Sequence, residues 1–123
     1  MVAIIEVNQS DELIQRVKLS QTITSFGRSR SNTVILEGKG ISRQHCYILQ
    51  LSAPGVSRVF WLFDGGPTSD GEIIPSTGGI FFNKARISNR RLNHGDVIVL
   101  PHGIHLLFHY VSGVSTDGKN TVA

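Results

Sequence analysis

Arg28 follows Gly27 at the end of the β-branched run Thr22-Ile23-Thr24-Ser25-Phe26 and opens the polar stretch Ser29-Arg30-Ser31-Asn32. An arginine beside a glycine at a strand end is placed to hold an anion. The glycine admits close backbone approach, and the guanidinium offers a planar fork of donors matched to phosphate or carboxylate. A second cluster, Ile41-Ser42-Arg43-Gln44-His45, stands just before the run Cys46-Tyr47-Ile48-Leu49 and sets a hydroxyl, a cation and an imidazole side by side. Ser42 and His45 admit two readings. As nucleophile and base they suit a hydrolase, yet no G-x-S-x-G turn or well-placed acid accompanies them. As parts of a binding loop, Ser42 donates to an anion while His45 locks the loop through buried hydrogen bonds, and this reading is preferred. A third cluster, Ser76-Thr77-Gly78-Gly79, leads into Ile80-Phe81-Phe82-Asn83. Backbone N–H groups beside paired glycines can face a ligand with no side chain in the way.

Other residues that invite chemistry carry less. Gly113 to Lys119 opens like a phosphate-binding loop, but Asn120 stands where Ser or Thr would ligate magnesium, so no nucleotide cofactor is expected. His105 and His109 fall on one face of a strand, about 13 Å apart at the usual rise, too far to share one metal. With His102 they are read as an exposed surface, and no metal site is expected. Trp61 is read as a core residue.

The elements that must position the three clusters are strands. The chain has 123 residues, 40% hydrophobic and 17% charged, enough for one domain with a core of its own. No apolar run approaches the roughly 20 residues of a membrane-spanning helix. The single cysteine, Cys46, rules out an internal disulfide or Cys-rich zinc module and fits a reducing, cytoplasmic setting. Thirteen glycines and four prolines cut the sequence into short apolar pieces without a sustained helical period. Strands are expected at Ala3-Ile4-Ile5, Leu13 to Leu19 (half-buried by its alternation), Thr22 to Phe26, Thr33 to Leu36, Tyr47 to Leu51, Val59 to Phe63, Ile80 to Phe82, Val97 to Leu100 and Ile104 to Val111. Ser10 is a candidate cap for a single helical turn. The stretch Gly65 to Gly79 reads as a long functional loop. This pattern indicates an all-β antiparallel sandwich or barrel over residues 1–111, with 112–123 a disordered tail.

In their order and spacing, Gly27-Arg28, Ser42-x-x-His45 and Ser76-Thr77-Gly78-Gly79, followed by Asn83 and Gly95-Asp96, resemble the forkhead-associated (FHA) family, including its bacterial members. The family pattern is G-R, S-x-x-H, S-x-N-G, an N-G turn and G-D-x-I, and the resemblance covers roughly Ile23 to Val111. It implies a β-sandwich of about eleven strands with binding loops at one end and non-catalytic recognition of phosphothreonine in peptides. By the same resemblance Arg28, Ser42 and Arg43 contact the phosphate, and Thr77 and position 78 contact the peptide. Gly27, His45, Gly79, Asn83 and Asp96 are then structural. Two positions depart from the pattern. Gly78 replaces the asparagine whose amide pins the ligand's main chain, and Lys84 replaces the glycine of the N-G turn. The segment before Ser76 is longer than usual for the family.

The expected partner is therefore a phosphothreonine-containing protein, bound in the tens of micromolar without enzyme activity, cofactor or membrane insertion. Two alternatives stand beside it. One is a scaffold or self-association domain that binds independently of phosphate, suggested by Gly78, Lys84 and the apolar runs at residues 59–63 and 80–82. The other is nucleic-acid binding through Arg28, Arg30, Arg43, Arg90 and Arg91, to which the modest net charge of +3 lends little. Arg30, Arg86, Arg90 and Arg91 otherwise read as a solvated rim. Thr116, before Asp117, is a candidate phosphorylation site for binding by a neighbouring copy.

Overall fold

The computed structural model describes residues 2–112, all strand, turn and loop. The phosphate-loop-like segment and Thr116 lie outside the described residues. Alternating apolar residues build two facing sheets. The six-stranded sheet runs β10 (Ala85–Ile87), β9 (Ile80–Phe82), β12 (Val97–Val99), β13 (Ile104–Val111), β1 (Val2–Gln9) and β2 (Glu12–Lys18). The five-stranded sheet runs β11 (Asn89–Arg91), β6 (Val56–Asp64), β5 (Cys46–Ala53), β3 (Ile23–Gly27) and β4 (Val34–Ile35), with only the short β3–β4 pair parallel. A separate ribbon joins β7 (Gly66–Pro67) to β8 (Ile73–Ile74). The architecture is the all-β sandwich of about eleven strands expected: six and five strands make the two facing sheets, and the separate ribbon adds two short ones.

The core lies between the sheets. Ile5, Ile98, Leu106 and Phe108 from one face meet Phe26, Ile48, Phe60 and Leu62 from the other, and the Phe60 and Phe108 rings pack at a tilt of 52° with centroids 5.6 Å apart. Their strands also converge at one end. The C-terminal ends of β3, β6 and β12 and the N-terminal ends of β5, β9 and β13 emit the loops that carry all three sequence clusters. The opposite end holds the turn between β5 and β6 and the start of β1, about 26 Å away along an eight-residue strand.

Several local expectations are corrected. The Gly65 to Gly79 segment is not structureless: Gly66 pairs with Ile74 and Pro67 with Ile73. Ser10 caps no helix; Ser10 and Asp11, at φ 51 and 66, form the tight turn between β1 and β2. β2 is almost wholly exposed, because it is an edge strand paired only with β1, and of its residues Val17 alone packs against the core. Trp61 lies on the outer face of β6, where its indole N–H donates to Asn89 Oδ1 at 3.0 Å, because Phe60 and Leu62 take the inward positions.

The turn between β9 and β10 bears directly on the Lys84 departure. Asn83 and Lys84 sit at φ 50 and 69, the left-handed pair that a two-residue hairpin requires. Asparagine tolerates this region, but lysine is strained there by its Cβ. Lys84→Gly is expected to stabilise the domain by about 0.5–1 kcal/mol, read as a rise in urea midpoint at unchanged slope.

Candidate functional site

Arg28 is carried to the open end by β3. Its backbone N–H donates to Ser42 O at 3.0 Å and its Nε to Ile41 O at 3.2 Å, so strand end and β4–β5 loop are tied together. The remaining guanidinium nitrogens face solvent, and Arg28 makes no ion pair among the described residues. Arg43, three positions before the strand that follows, is exposed and equally makes no ion pair among the described residues.

The loop bearing Arg43 is held from below. Its carbonyl accepts the Asn32 amide at 2.7 Å and the Ser29 N–H at 3.2 Å. Gly27 lies against the same carbonyl so closely that a Cβ there would overlap it, which is the physical reason for glycine at this strand end. Asn32, 7% exposed, is a site-building residue that sequence reading passed over as part of a polar run.

His45 joins the second and third clusters. Its ring is fully buried. Ser42 N–H donates to Nδ1 at 3.0 Å, so the neutral ring carries its proton on Nε2, which donates to Gly79 O at 2.9 Å. Burial holds the imidazole pKa below its ordinary value. The bond to Gly79 and the Asp64 carboxylate oppose that shift without cancelling it, and Arg86 adds to it. The histidine is thus a neutral clamp between two loops and lacks the exposure of a working base.

Ser76 and Asp64 form a second clamp. Asp64 accepts Ser76 Oγ–H at 2.5 Å and Ser76 N–H at 3.3 Å, and Ser76 Oγ in turn accepts Gly79 N–H at 2.9 Å. Arg86, from β10, is exposed as the sequence reading had it, and it also donates to Ser76 O at 3.0 Å, which ties it to this loop. With the loop set in this way, Thr77 N–H donates to Ser42 Oγ at 2.9 Å. Arg28, Ser42, Thr77 and the tip of the third cluster are therefore one connected surface.

Gly78 occupies its place for a reason that sequence alone does not show. A Cβ at this position would overlap Pro101 Cγ and lie 2.7 Å from Gly40 O, since the β12–β13 turn and the β4–β5 loop close against it. An asparagine is excluded by sterics here, not merely absent. Gly78→Asn is expected to cost about 1–3 kcal/mol, seen as a lower thermal midpoint, and Pro101→Ala in the same chain to recover part of it.

Asn83 and Asp96 are not part of this surface. Asn83 forms the β9–β10 turn already described. Asp96 accepts Arg90 Nε at 2.8 Å and Asn93 N–H at 2.8 Å, bracing the turn before β12. Arg90 also lies over the Phe82 ring, 3.6 Å from its centroid, so it is a packed structural cation and not a member of a solvated rim.

The two-layer sandwich thus carries Arg28, Ser42, Arg43 and Thr77 on loops at one end. Residues 24–101 match the FHA domain family, and the chain belongs to it. FHA domains are recognition modules rather than enzymes. The chain is 30% identical over 107 residues to the uncharacterised protein sll1895 of Synechocystis, covering 87% of this chain but only 14% of that protein's length. The Slr1951 protein from Synechocystis shares the fold, with TM-score 0.76 at 22% identity over 89% of this chain and 99% of its own. So does the MEK1 FHA domain solved in complex with the HOP1 pThr318 peptide, with TM-score 0.64 at 24% identity over 87% and 94% of the two chains. No helix among the described residues is long and apolar enough to cross a membrane.

Proposed function

We propose that this chain is a phosphothreonine-peptide reader, a non-catalytic module that binds a partner protein only after that partner is phosphorylated. The observation that carries this reading is the bond from Thr77 N–H to Ser42 Oγ beside the tethered Arg28. Because Ser42 Oγ already accepts a hydrogen bond, its own proton is free to donate outward, next to an unpaired guanidinium fork. A phosphothreonine carries about −1.5 to −2 charges at neutral pH and three acceptor oxygens, which Arg28, Ser42 and Arg43 would share. Thr77 flanks the place where the threonine methyl would lie. With glycine at position 78, the peptide main chain loses side-chain hydrogen bonds that each contribute about 0.5–1.5 kcal/mol, so affinity falls in the tens of micromolar.

Titration of phosphothreonine, phosphoserine and unphosphorylated peptide pools by fluorescence anisotropy tests the reading. Saturable binding is expected for the phosphothreonine pool, weaker binding for phosphoserine, and none for the third. Equal curves for all three pools would overturn it in favour of a phosphate-independent scaffold.

A further inference from the structure

The end of the sandwich opposite the recognition loops holds a concavity of about 700 Å³, within the size range of small-molecule sites. The core finishes there in an aromatic layer. Phe60 and Tyr110 line the concavity with ring centroids 6.2 Å apart, and Tyr110 meets Phe108 edge-on at 5.2 Å. Three cations line it as well, Lys18 from β2, Arg58 from β6 and Arg91 from β11, and no Asp or Glu does. None of the three makes an ion pair among the described residues, whereas Arg16 and Arg90 each hold a carboxylate.

Arg58 is positioned by its surroundings. β5 and β6 lose register between Leu51 and Ala53, whose partners are Val59 and Val56, so Ser57 and Arg58 form the irregular step. Irregularities of this kind re-aim a side chain. Arg58 Nη1 donates to Gln50 Oε1 at 3.1 Å, and Gln50 Nε2 in turn donates to Gln21 O at 3.3 Å, between β2 and β3. One guanidinium N–H is spent on this brace, and those of Nε and Nη2 are left for a ligand. Three like charges around one concave wall repel one another, and an anion seated among them removes that cost. Two guanidinium forks and an ammonium suit the several oxygens and multiple charge of a phosphoryl group better than a single carboxylate. A bare phosphate ion would leave the aromatic layer uncovered, so the lining calls for an anion with an organic body.

We propose that this concavity binds an organic phosphate, its phosphoryl oxygens held by Arg58 with Lys18 and Arg91 and its apolar or aromatic body lying on Phe60 and Tyr110. The site is separate from the recognition loops and does not depend on the phosphothreonine reading. A soluble nucleotide and a phosphorylated lipid headgroup share this chemistry.

Isothermal titration with ATP, inorganic tripolyphosphate and a short-chain, water-soluble phosphatidylinositol bisphosphate tests the site in the wild-type chain, Arg58→Ala, Arg91→Ala, Arg30→Ala and Arg28→Ala. Saturable binding of an organic phosphate is expected with Kd below about 1 mM, and tripolyphosphate, which cannot cover the rings, should bind about fivefold more weakly. Arg58→Ala should weaken binding at least about tenfold. Its thermal melt should match the wild type, since the side chain is exposed and its one bond within the domain is to Gln50; Arg91→Ala serves as a second variant should it not. Arg30→Ala removes the same charge outside the concavity and should change affinity less than about threefold. Tighter binding of the phosphoinositide than of ATP assigns the site to a lipid headgroup, and the reverse order to a soluble phosphate. Four results would overturn the proposal: no saturable binding of any probe, tripolyphosphate binding as tightly as the organic phosphates, equal losses in Arg58→Ala and Arg30→Ala, or binding lost in Arg28→Ala and kept in Arg58→Ala. The last would place the anion at the recognition loops, and none of the four overturns the phosphothreonine reading.

Discussion

Arg28→Ala is expected to lower affinity for phosphothreonine peptides by at least about a hundredfold while leaving the fold intact. Hydrogen bonds to a charged group contribute roughly 1.5–3 kcal/mol each, and a guanidinium fork on a phosphate makes two, so the loss spans two decades or more at about 1.4 kcal/mol per decade. What the fold loses is small. The side chain is exposed, its one bond within the domain is Nε to Ile41 O, and the backbone bond to Ser42 O is untouched by the substitution. The unfolding midpoint should move by no more than a few degrees. Arg28→Lys separates charge from geometry, since it keeps the cation but not the planar fork, and should retain an intermediate affinity. Arg30→Ala is the matched control, being exposed and two positions away; it should change affinity less than about threefold. Isothermal titration with the same peptide, alongside thermal melts, reads all four chains. Binding by Arg28→Ala that matched Arg30→Ala would mean that the phosphate does not sit at the end of β3.

How far the sequence discloses this site depends on whether a residue's partner is local. Arg28, Ser42 and His45 stand out because their types are informative next to their immediate neighbours: a glycine at a strand end, a hydroxyl and an imidazole entering a strand. Asp64 with Ser76, and Asn32 with the Arg43 carbonyl, span twelve and eleven residues and leave no periodic trace, so only the folded chain reveals them as clamps. The strands divide in the same way. β3, β5, β6 and β13 are visible because buried and exposed positions alternate. β10 and β11, Ala85-Arg86-Ile87 and Asn89-Arg90-Arg91, carry too few apolar residues to register and are strands because β9 and β6 offer them a ladder. β2 shows the converse: Leu13 to Leu19 alternates well, yet an edge strand has little above it to pack against. Gly78 is the clearest limit. A missing amide can be read from sequence, but the approach of Pro101 and Gly40 that forbids it cannot.

His45 makes the strongest prediction for stability, because its one buried ring bonds both the Ser42 N–H and the Gly79 carbonyl. His45→Ala removes a fully buried ring and leaves the Ser42 N–H and the Gly79 carbonyl without partners. Cavity formation and two unpaired polar groups together should cost about 3–5 kcal/mol, a fall of some 10–20 °C in unfolding midpoint. The same contacts set a pH dependence whose sign follows from the depressed pKa. The folded ring resists protonation, whereas in the unfolded chain it takes a proton near pH 6.5, so the unfolded state binds more protons in the acid range. The contribution of His45 to stability is therefore complete above about pH 6.5 and declines as pH falls from there toward the lower folded value. His45→Gln, which cannot titrate, isolates this contribution from the other four histidines when unfolding free energies of the two chains are compared between about pH 7.5 and 5. The advantage of the wild type over His45→Gln should shrink as the solution is acidified. Protonation also forces a hydrogen onto Nδ1 opposite the Ser42 N–H, so the loop that presents the Ser42 hydroxyl is what loosens first. Parallel stability curves for the two chains would mean that the ring titrates alike folded and unfolded, and that burial does not hold it neutral.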